Sequence, residues 1–179
     1  RSRVHEYGGA AYTVDRGTVY FSNFADQRLY RQAVGAEPQP VTPAGYFYAD
    51  CRVDAAHRQL ICVREDHTPD GEPRNTIVAL DPDGHEPDRV LAAGRDFYAA
   101  PRLSPDGASL AWLEWSHPHM PWDAAELWVA PVETDGTVGR PGRVAGGSRE
   151  SAVQPRWSPD GALHFASDRS GWWNLHCVV

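Results

Sequence analysis

The densest set of reactive side chains in this chain lies in one short stretch, Glu114-Trp-Ser-His-Pro-His-Met-Pro-Trp-Asp123. Two imidazoles so close together suggest a metal site. However, His117 and His119 are separated by a single proline, which hinders their convergence, and no third ligand has suitable spacing. Neither a metal nor any other cofactor is therefore expected. Two readings of the stretch remain. Its tryptophans and prolines could bury against a neighbouring element, or it could form a rim on which His117, His119, Trp122 and Asp123 meet a ligand. Long connections on rigid scaffolds carry binding residues disproportionately, which keeps the second reading open.

Serine-based nucleophilic catalysis leaves a recognisable trace, Gly-x-Ser-x-Gly on a strand-to-helix turn. No such pentapeptide occurs in the chain. Ser148, in Gly146-Gly-Ser-Arg, and Ser170, in Arg169-Ser-Gly, lack both the flanking pattern and the strand-turn-helix context. Glycoside hydrolysis would need two carboxylates about 5–9.5 Å apart, and the acids here are scattered among turns. His5-Glu-Tyr-Gly-Gly9 is a different case. A glycine pair permits positive φ or close backbone approach, so the segment reads as a sharp entry into a strand. Glu6 is there either part of a structural turn or a carboxylate aimed at a cationic ligand group. These residues offer binding surface; none is a catalytic candidate.

What positions them is announced by repetition. Pro101-Arg-Leu-Ser-Pro-Asp-Gly107 returns as Pro155-Arg-Trp-Ser-Pro-Asp-Gly161, each followed by an apolar run, and a fainter copy begins at Cys51-Arg-Val-Asp. Arg52, Arg102 and Arg156 anchor the copies, and their recurrence favours repeated structural hydrogen bonding over a single site. Ser-Pro-Asp-Gly suits a type I turn. It would join a short first strand to an inner one, 99–103 to 109–115 in the clearest unit. Strands over 126–132 and 142–145 follow. The preceding unit gives 48–53, 59–64, 76–80 and 88–91; the first gives 10–14, 18–22, 28–33 and 39–42. The last gives 153–157, 163–167 and 174–179, with no fourth strand.

Four strands per repeat of roughly 40–55 residues, with turn signals throughout and no helical periodicity, is the signature of β-propeller blades. The expected fold is all-β, a partial propeller of about three and a half four-stranded blades. Their approximate boundaries are 1–46, 47–97, 98–150 and an incomplete 151–179. Trp172 and Trp173, after Gly171, are expected to plug the gap between blades, and Asp168-Arg169 to form a strand-end charge pair. The start at Arg1 and the end inside Cys177-Val-Val179 suggest a piece of a longer propeller. Open blade faces and unpaired edges would then favour a homodimer.

Composition narrows the partners. The chain has a net charge of −7 and no Lys/Arg-rich segment, so nucleic acid and anionic membranes are not expected. No apolar stretch approaches the ~18 residues of a membrane span, and no signal-peptide pattern opens the chain. Three cysteines, Cys51, Cys62 and Cys177, are odd in number and irregular in spacing. They support no zinc ribbon or disulfide framework. Cys51 and Cys62 read as small buried hydrophobes, and a reducing, cytoplasmic setting is the expectation.

Three phrases are more specific than the turns: Arg3-Val-His-Glu-Tyr-Gly-Gly9, His117-Pro-His-Met-Pro-Trp-Asp-x-x-Glu-Leu-Trp-Val129, and Ser167-Asp-Arg-Ser-Gly-Trp-Trp-Asn-Leu175. With them the whole chain resembles the N-terminal propeller of bacterial prolyl oligopeptidase-family (S9) serine peptidases. The resemblance is to the acylaminoacyl-peptidase and dipeptidyl-aminopeptidase-like branch. It implies a non-catalytic propeller that gates peptide access to a separate α/β-hydrolase domain. The substrate-channel candidates are then Glu6, His117, His119, Trp122 and Asp123. Dipeptidyl peptidases of the wider family hold the substrate's amino terminus with a paired-glutamate motif, and no Glu-Glu pair occurs here. The alternative is a TolB- or WD-like propeller acting as a protein-interaction platform.

Overall fold

A computed structural model describes residues Arg1–Val179. Nearly all regular structure is β, in four antiparallel sheets whose strands follow one another in chain order. The first sheet holds β1 (Tyr12–Asp15), β2 (Thr18–Ser22), β3 (Leu29–Ala33) and β4 (Gln39–Pro40). The second holds β5 (Tyr46–Asp54), β6 (Gln59–Asp66), β7 (Arg74–Leu80) and β8 (Arg89–Ala92). The third holds β9 (Phe97–Leu103), β10 (Ser109–Trp115), β11 (Glu126–Pro131) and β12 (Gly142–Ala145), with a four-residue helix α1 (Pro121–Ala124) between β10 and β11. The fourth holds β13 (Ala152–Trp157), β14 (Leu163–Ser167) and β15 (Asn174–Val178). The chain divides into two compact units, Arg1–Gly94 and Arg95–Val179, each with two sheets.

The second strands, β6 and β10, are the most buried, and their sequences say why. Leu60-Ile-Cys-Val63 and Leu110-Ala-Trp-Leu113 are continuous apolar runs, the mark of a strand covered on both faces. In the first unit Leu29, Tyr48, Cys51, Leu60, Cys62, Val78 and Leu80 form one core. In the second unit Ala111, Leu113, Leu127, Ala145, Ala152, Leu163 and Phe165 do the same. Each core draws on both sheets of its unit. Fully burying a Leu or Phe contributes roughly 1.5–3 kcal/mol, so these clusters hold each pair of sheets together. The small residues let the backbones approach, with Ala152 N–H donating to Ala125 O at 2.9 Å, and the Trp157 side chain donates Nε1–H to Arg102 O at 3.0 Å.

The repeated phrase works as its residue types require. Gly107 N–H donates to Ser104 O at 2.9 Å with Gly107 at φ +71°, and Gly161 N–H donates to Ser158 O at 3.0 Å with φ +89°. Asp106 takes the Ser104 hydroxyl at 2.6 Å and Ala108 N–H at 3.0 Å; Asp160 likewise takes the Ser158 hydroxyl. Accepting these bonds holds both exposed carboxyls below the usual carboxylate range. Arg52, Arg102 and Arg156 each turn Nη1 back onto the preceding carbonyl, at 3.0, 2.7 and 2.8 Å. Two residues before each lies a bulge residue at positive φ: Asp50 (+55°), Ala100 (+52°) and Gln154 (+56°). The repeat thus extends to backbone strain that the sequence does not announce.

The cysteine reading needs correction. Cys51 and Cys62 are buried as expected, but they are disulfide-bonded to each other. Both lie in one hairpin, and the β5 bulge sets Cys51 opposite Cys62, with Cα atoms 4.1 Å apart. Directly facing cross-strand side chains bring two sulfurs within reach. Cysteine usage therefore gives no support to a reducing compartment. No helix of the chain is long and apolar enough to cross a membrane.

Candidate functional site

Sequential antiparallel strands send alternate connections to opposite ends of a sheet. In both units one end carries strand-reversing turns, among them Asp83-Gly84 in the first and Asp106-Gly107, Asp135-Gly136 and Asp160-Gly161 in the second. The other end carries the long, non-repeating connections, and every candidate residue falls there. In the first unit this end begins with Arg3–Gly9, where Glu6 N–H donates to Arg3 O at 2.7 Å and Gly8 N–H to Val4 O at 2.8 Å. Gly8 sits at φ +86°, and a Cβ there would stand 2.6 Å from Ser2 O, so the tight entry requires glycine. Glu6 itself is exposed.

The sequence did not reveal what lies beneath that turn. Glu65, only 4% exposed at the end of β6, accepts His5 N–H at 2.6 Å on Oε1 and faces His67 Nε2 at 3.1 Å on Oε2. Burial pushes the His5 imidazole down to about 4, against the opposing pull of Asp50 and a hydrogen bond with Asn75. Burial, with Glu65 and Asp50 nearby, also raises the Tyr7 phenol. A buried carboxylate thus anchors the N-terminal loop through its backbone. The signal lay in Glu65-Asp66 ending an apolar strand, where a charge is seldom buried without partners.

In the second unit the stretch 114–123 divides. Trp115 is buried and stacks on Phe97 at 5.4 Å. His117 is exposed, edge-on to Phe97 at 4.9 Å, and its backbone N–H donates to Asp96 Oδ2 at 2.9 Å. His119 and Met120 are exposed, and Trp122 is 59% exposed. Asp123 accepts Met120 N–H at 3.0 Å and so closes the first turn of α1. The Ser151 hydroxyl pins the far side of the loop by donating to Pro121 O at 2.6 Å. The loop is anchored at both ends, and His117, His119 and Trp122 are exposed at its tip. His117, His119, Trp122 and Asp123 share one connection; Glu6 belongs to the other unit.

Next to this loop is an ionic lattice that sequence reasoning missed. Arg95 Nε meets Glu114 Oε1 and Arg95 Nη2 meets Glu126 Oε2, both at 3.1 Å, while Arg143 Nη1 meets Glu126 Oε1 at 2.8 Å. Trp112 Nε1 donates to Glu114 Oε2 at 2.9 Å and Trp128 Nε1 to Glu126 Oε2 at 3.1 Å. The two carboxylates are saturated, which is a positioning role. Asp168 and Arg169 do not pair with each other as expected. Asp168 Oδ1 accepts Ser151 N–H at 2.7 Å, and Arg169 Nε reaches Glu150 Oε1 at 3.0 Å. Trp172 and Trp173 are 80% and 48% exposed beside β15. One thiol–imidazole pair, Cys177 Sγ and His164 Nε2 at 3.8 Å, lies exposed across β14 and β15. Aromatic, imidazole and guanidinium surface on anchored loops is suited to binding peptides or other polar chains.

No protein-family model and no curated protein matches the chain. Solved structures do. A puromycin-hydrolysing peptidase of Mycobacterium tuberculosis is 42% identical over 99% of the chain, with a TM-score of 0.90. A puromycin hydrolase S511A mutant complexed with PGG is 37% identical over 100% of the chain, with a TM-score of 0.92. The chain spans 30% of the length of each. TolB from Acinetobacter baumannii shares the fold at 20% identity and a TM-score of 0.62, over 90% of this chain and 38% of that one. The four sheets are propeller blades, and along its whole length the chain resembles the propeller region of the puromycin-hydrolysing S9 peptidases.

Proposed function

We propose that this chain is the propeller part of an S9-type serine peptidase and that it screens peptides on their way to an α/β-hydrolase domain. The observation that carries this is identity of 37–42% across essentially the whole chain with puromycin-hydrolysing peptidases. The TolB likeness supports the fold alone, so the interaction-platform alternative gains nothing from it. Local chemistry agrees with a screening role, since no Gly-x-Ser-x-Gly occurs and the long loops present exposed His117, His119 and Trp122. A preorganised oxyanion site, the largest usual contributor to acyl transfer, would come from the hydrolase domain.

A serine-directed fluorophosphonate probe tests the reading. In the full-length gene product it should label one serine outside Arg1–Val179, while the 179-residue chain stays unlabelled and leaves peptide nitroanilides intact. Stoichiometric labelling of a serine within these residues would contradict the proposal. So would a full-length product that is never labelled.

A further inference from the structure

We infer that the cleft formed by Arg143, Gly146–Glu150 and Arg169 is a binding site for a carboxylate, and that the carboxylate is the free C-terminus of a short peptide. The cleft has a volume of about 620 Å³. It gathers three arginines and one acid, a net positive site in a chain of net charge −7. Two of the guanidiniums are held in place on one edge only. Arg143 uses Nη1 on Glu126, and Arg169 uses Nε on Glu150 and the Ser167 hydroxyl. Their remaining N–H groups are uncommitted. Arg149 has no ion-pair partner at all, and it is exposed. A guanidinium fork fits a planar carboxylate bidentately, which a lysine cannot do.

The backbone of the cleft is built rather than merely looped. Gly146 lies at φ +87°, and a Cβ there would stand 2.2 Å from Ala125 O and 2.6 Å from the Glu126 Cα. Gly147 follows at φ +145°, and Gly147 and Glu150 exchange backbone hydrogen bonds at 2.8 and 3.1 Å. This clamp leaves Ser148 and Arg149 at its tip with no intramolecular hydrogen-bond partner. The Glu150 carboxylate already accepts the Gly146 N–H, the Ser167 hydroxyl and Arg169 Nε. Burial opposes its ionisation, but the Ser167 hydroxyl and Arg169 outweigh that and hold it ionised, where it orients Arg169. Because the fixed acid uses only one edge of Arg169, the free edges of the arginines are left for an incoming anion.

The choice of a peptide carboxylate rests on the proposed function; the anion site itself does not. The test is an NMR titration of the 179-residue chain with four probes: a glycine tripeptide as free acid, the same tripeptide as C-terminal amide, acetate, and inorganic phosphate. The free acid should shift the amide signals of Gly146, Gly147 and Ser148, acetate should do so more weakly, and the amide should not. Arg149→Ala should weaken the acid by about tenfold or more, with Arg149→Lys only partly restoring it. Arg149 is exposed, so both variants should keep the wild-type spectrum elsewhere. Equal shifts from acid and amide, or an unchanged affinity in Arg149→Ala, would overturn the site. Phosphate binding tighter than the peptide acid would overturn the carboxylate assignment. Neither result bears on the fluorophosphonate test, so the two readings fail separately.

Discussion

The two ends of the blades differ in kind. At one end the turns repeat: Ser104–Gly107 and Ser158–Gly161 use the same residues, the same hydroxyl-to-aspartate bond and the same positive-φ glycine. At the other end nothing repeats. There the first unit buries Glu65 under a histidine-bearing turn, while the second holds an arginine-rich cleft and a loop with exposed His119 and Trp122. The residues that recur in these two blades solve one shared problem, namely how to reverse a strand. Residues that occur once answer to something outside the blade. Repetition therefore separates residues serving the fold from residues available for function.

The sharpest way to break this contrast is to ask whether the non-repeating end is also structurally demanding. Gly146→Ala should cost about 4 kcal/mol or more, because a backbone clash adds to left-handed strain. The readout is the midpoint of chemical denaturation of the second unit's signals. A loss below about 1 kcal/mol would mean the clamp is soft. The next effect concerns pH. His5 titrates near 6.5 when unfolded and at about 4 when folded, so the unfolded state takes up the proton first. Stability should be full above pH 6.5 and fall on acidification between 6.5 and about 4, by up to about 3 kcal/mol. His5→Gln should flatten that part of the profile, and an unaltered profile would remove His5 from the account. The smallest effect belongs to the repeating end. A Cβ on Gly107 meets nothing within 4 Å, so Gly107→Ala should cost only its φ strain, about 1 kcal/mol.

The repeating end and the strands were largely legible. β2, β10, β12 and β14 fall where the apolar runs and turn signals put them, because period, turn chemistry and burial agree at those positions. The non-repeating end was legible as a place but not as a structure. The Cys51–Cys62 bond depends on a bulge that changes the cross-strand register, which composition does not encode. The Arg95–Glu126 pair joins residues 31 positions apart, one in the bend before β9 and the other at the start of β11. Asp168 and Arg169, adjacent in sequence, reach different partners from the turn that follows β14. Isolated charges in loops carry no period, and only the folded register shows which of them meet.

The most direct test of this division compares two substitutions in the full-length gene product, His119→Ala at the non-repeating end and Asp106→Ala at a repeated turn. The measured quantity is kcat/KM for a panel of short peptides relative to kcat/KM for a small activated ester that needs no screening. His119→Ala should change the ratios among peptides several-fold while sparing the ester, and Asp106→Ala should lower thermal stability and leave every ratio unchanged. Equal losses on all substrates from His119→Ala, or altered peptide selectivity from Asp106→Ala, would contradict the account.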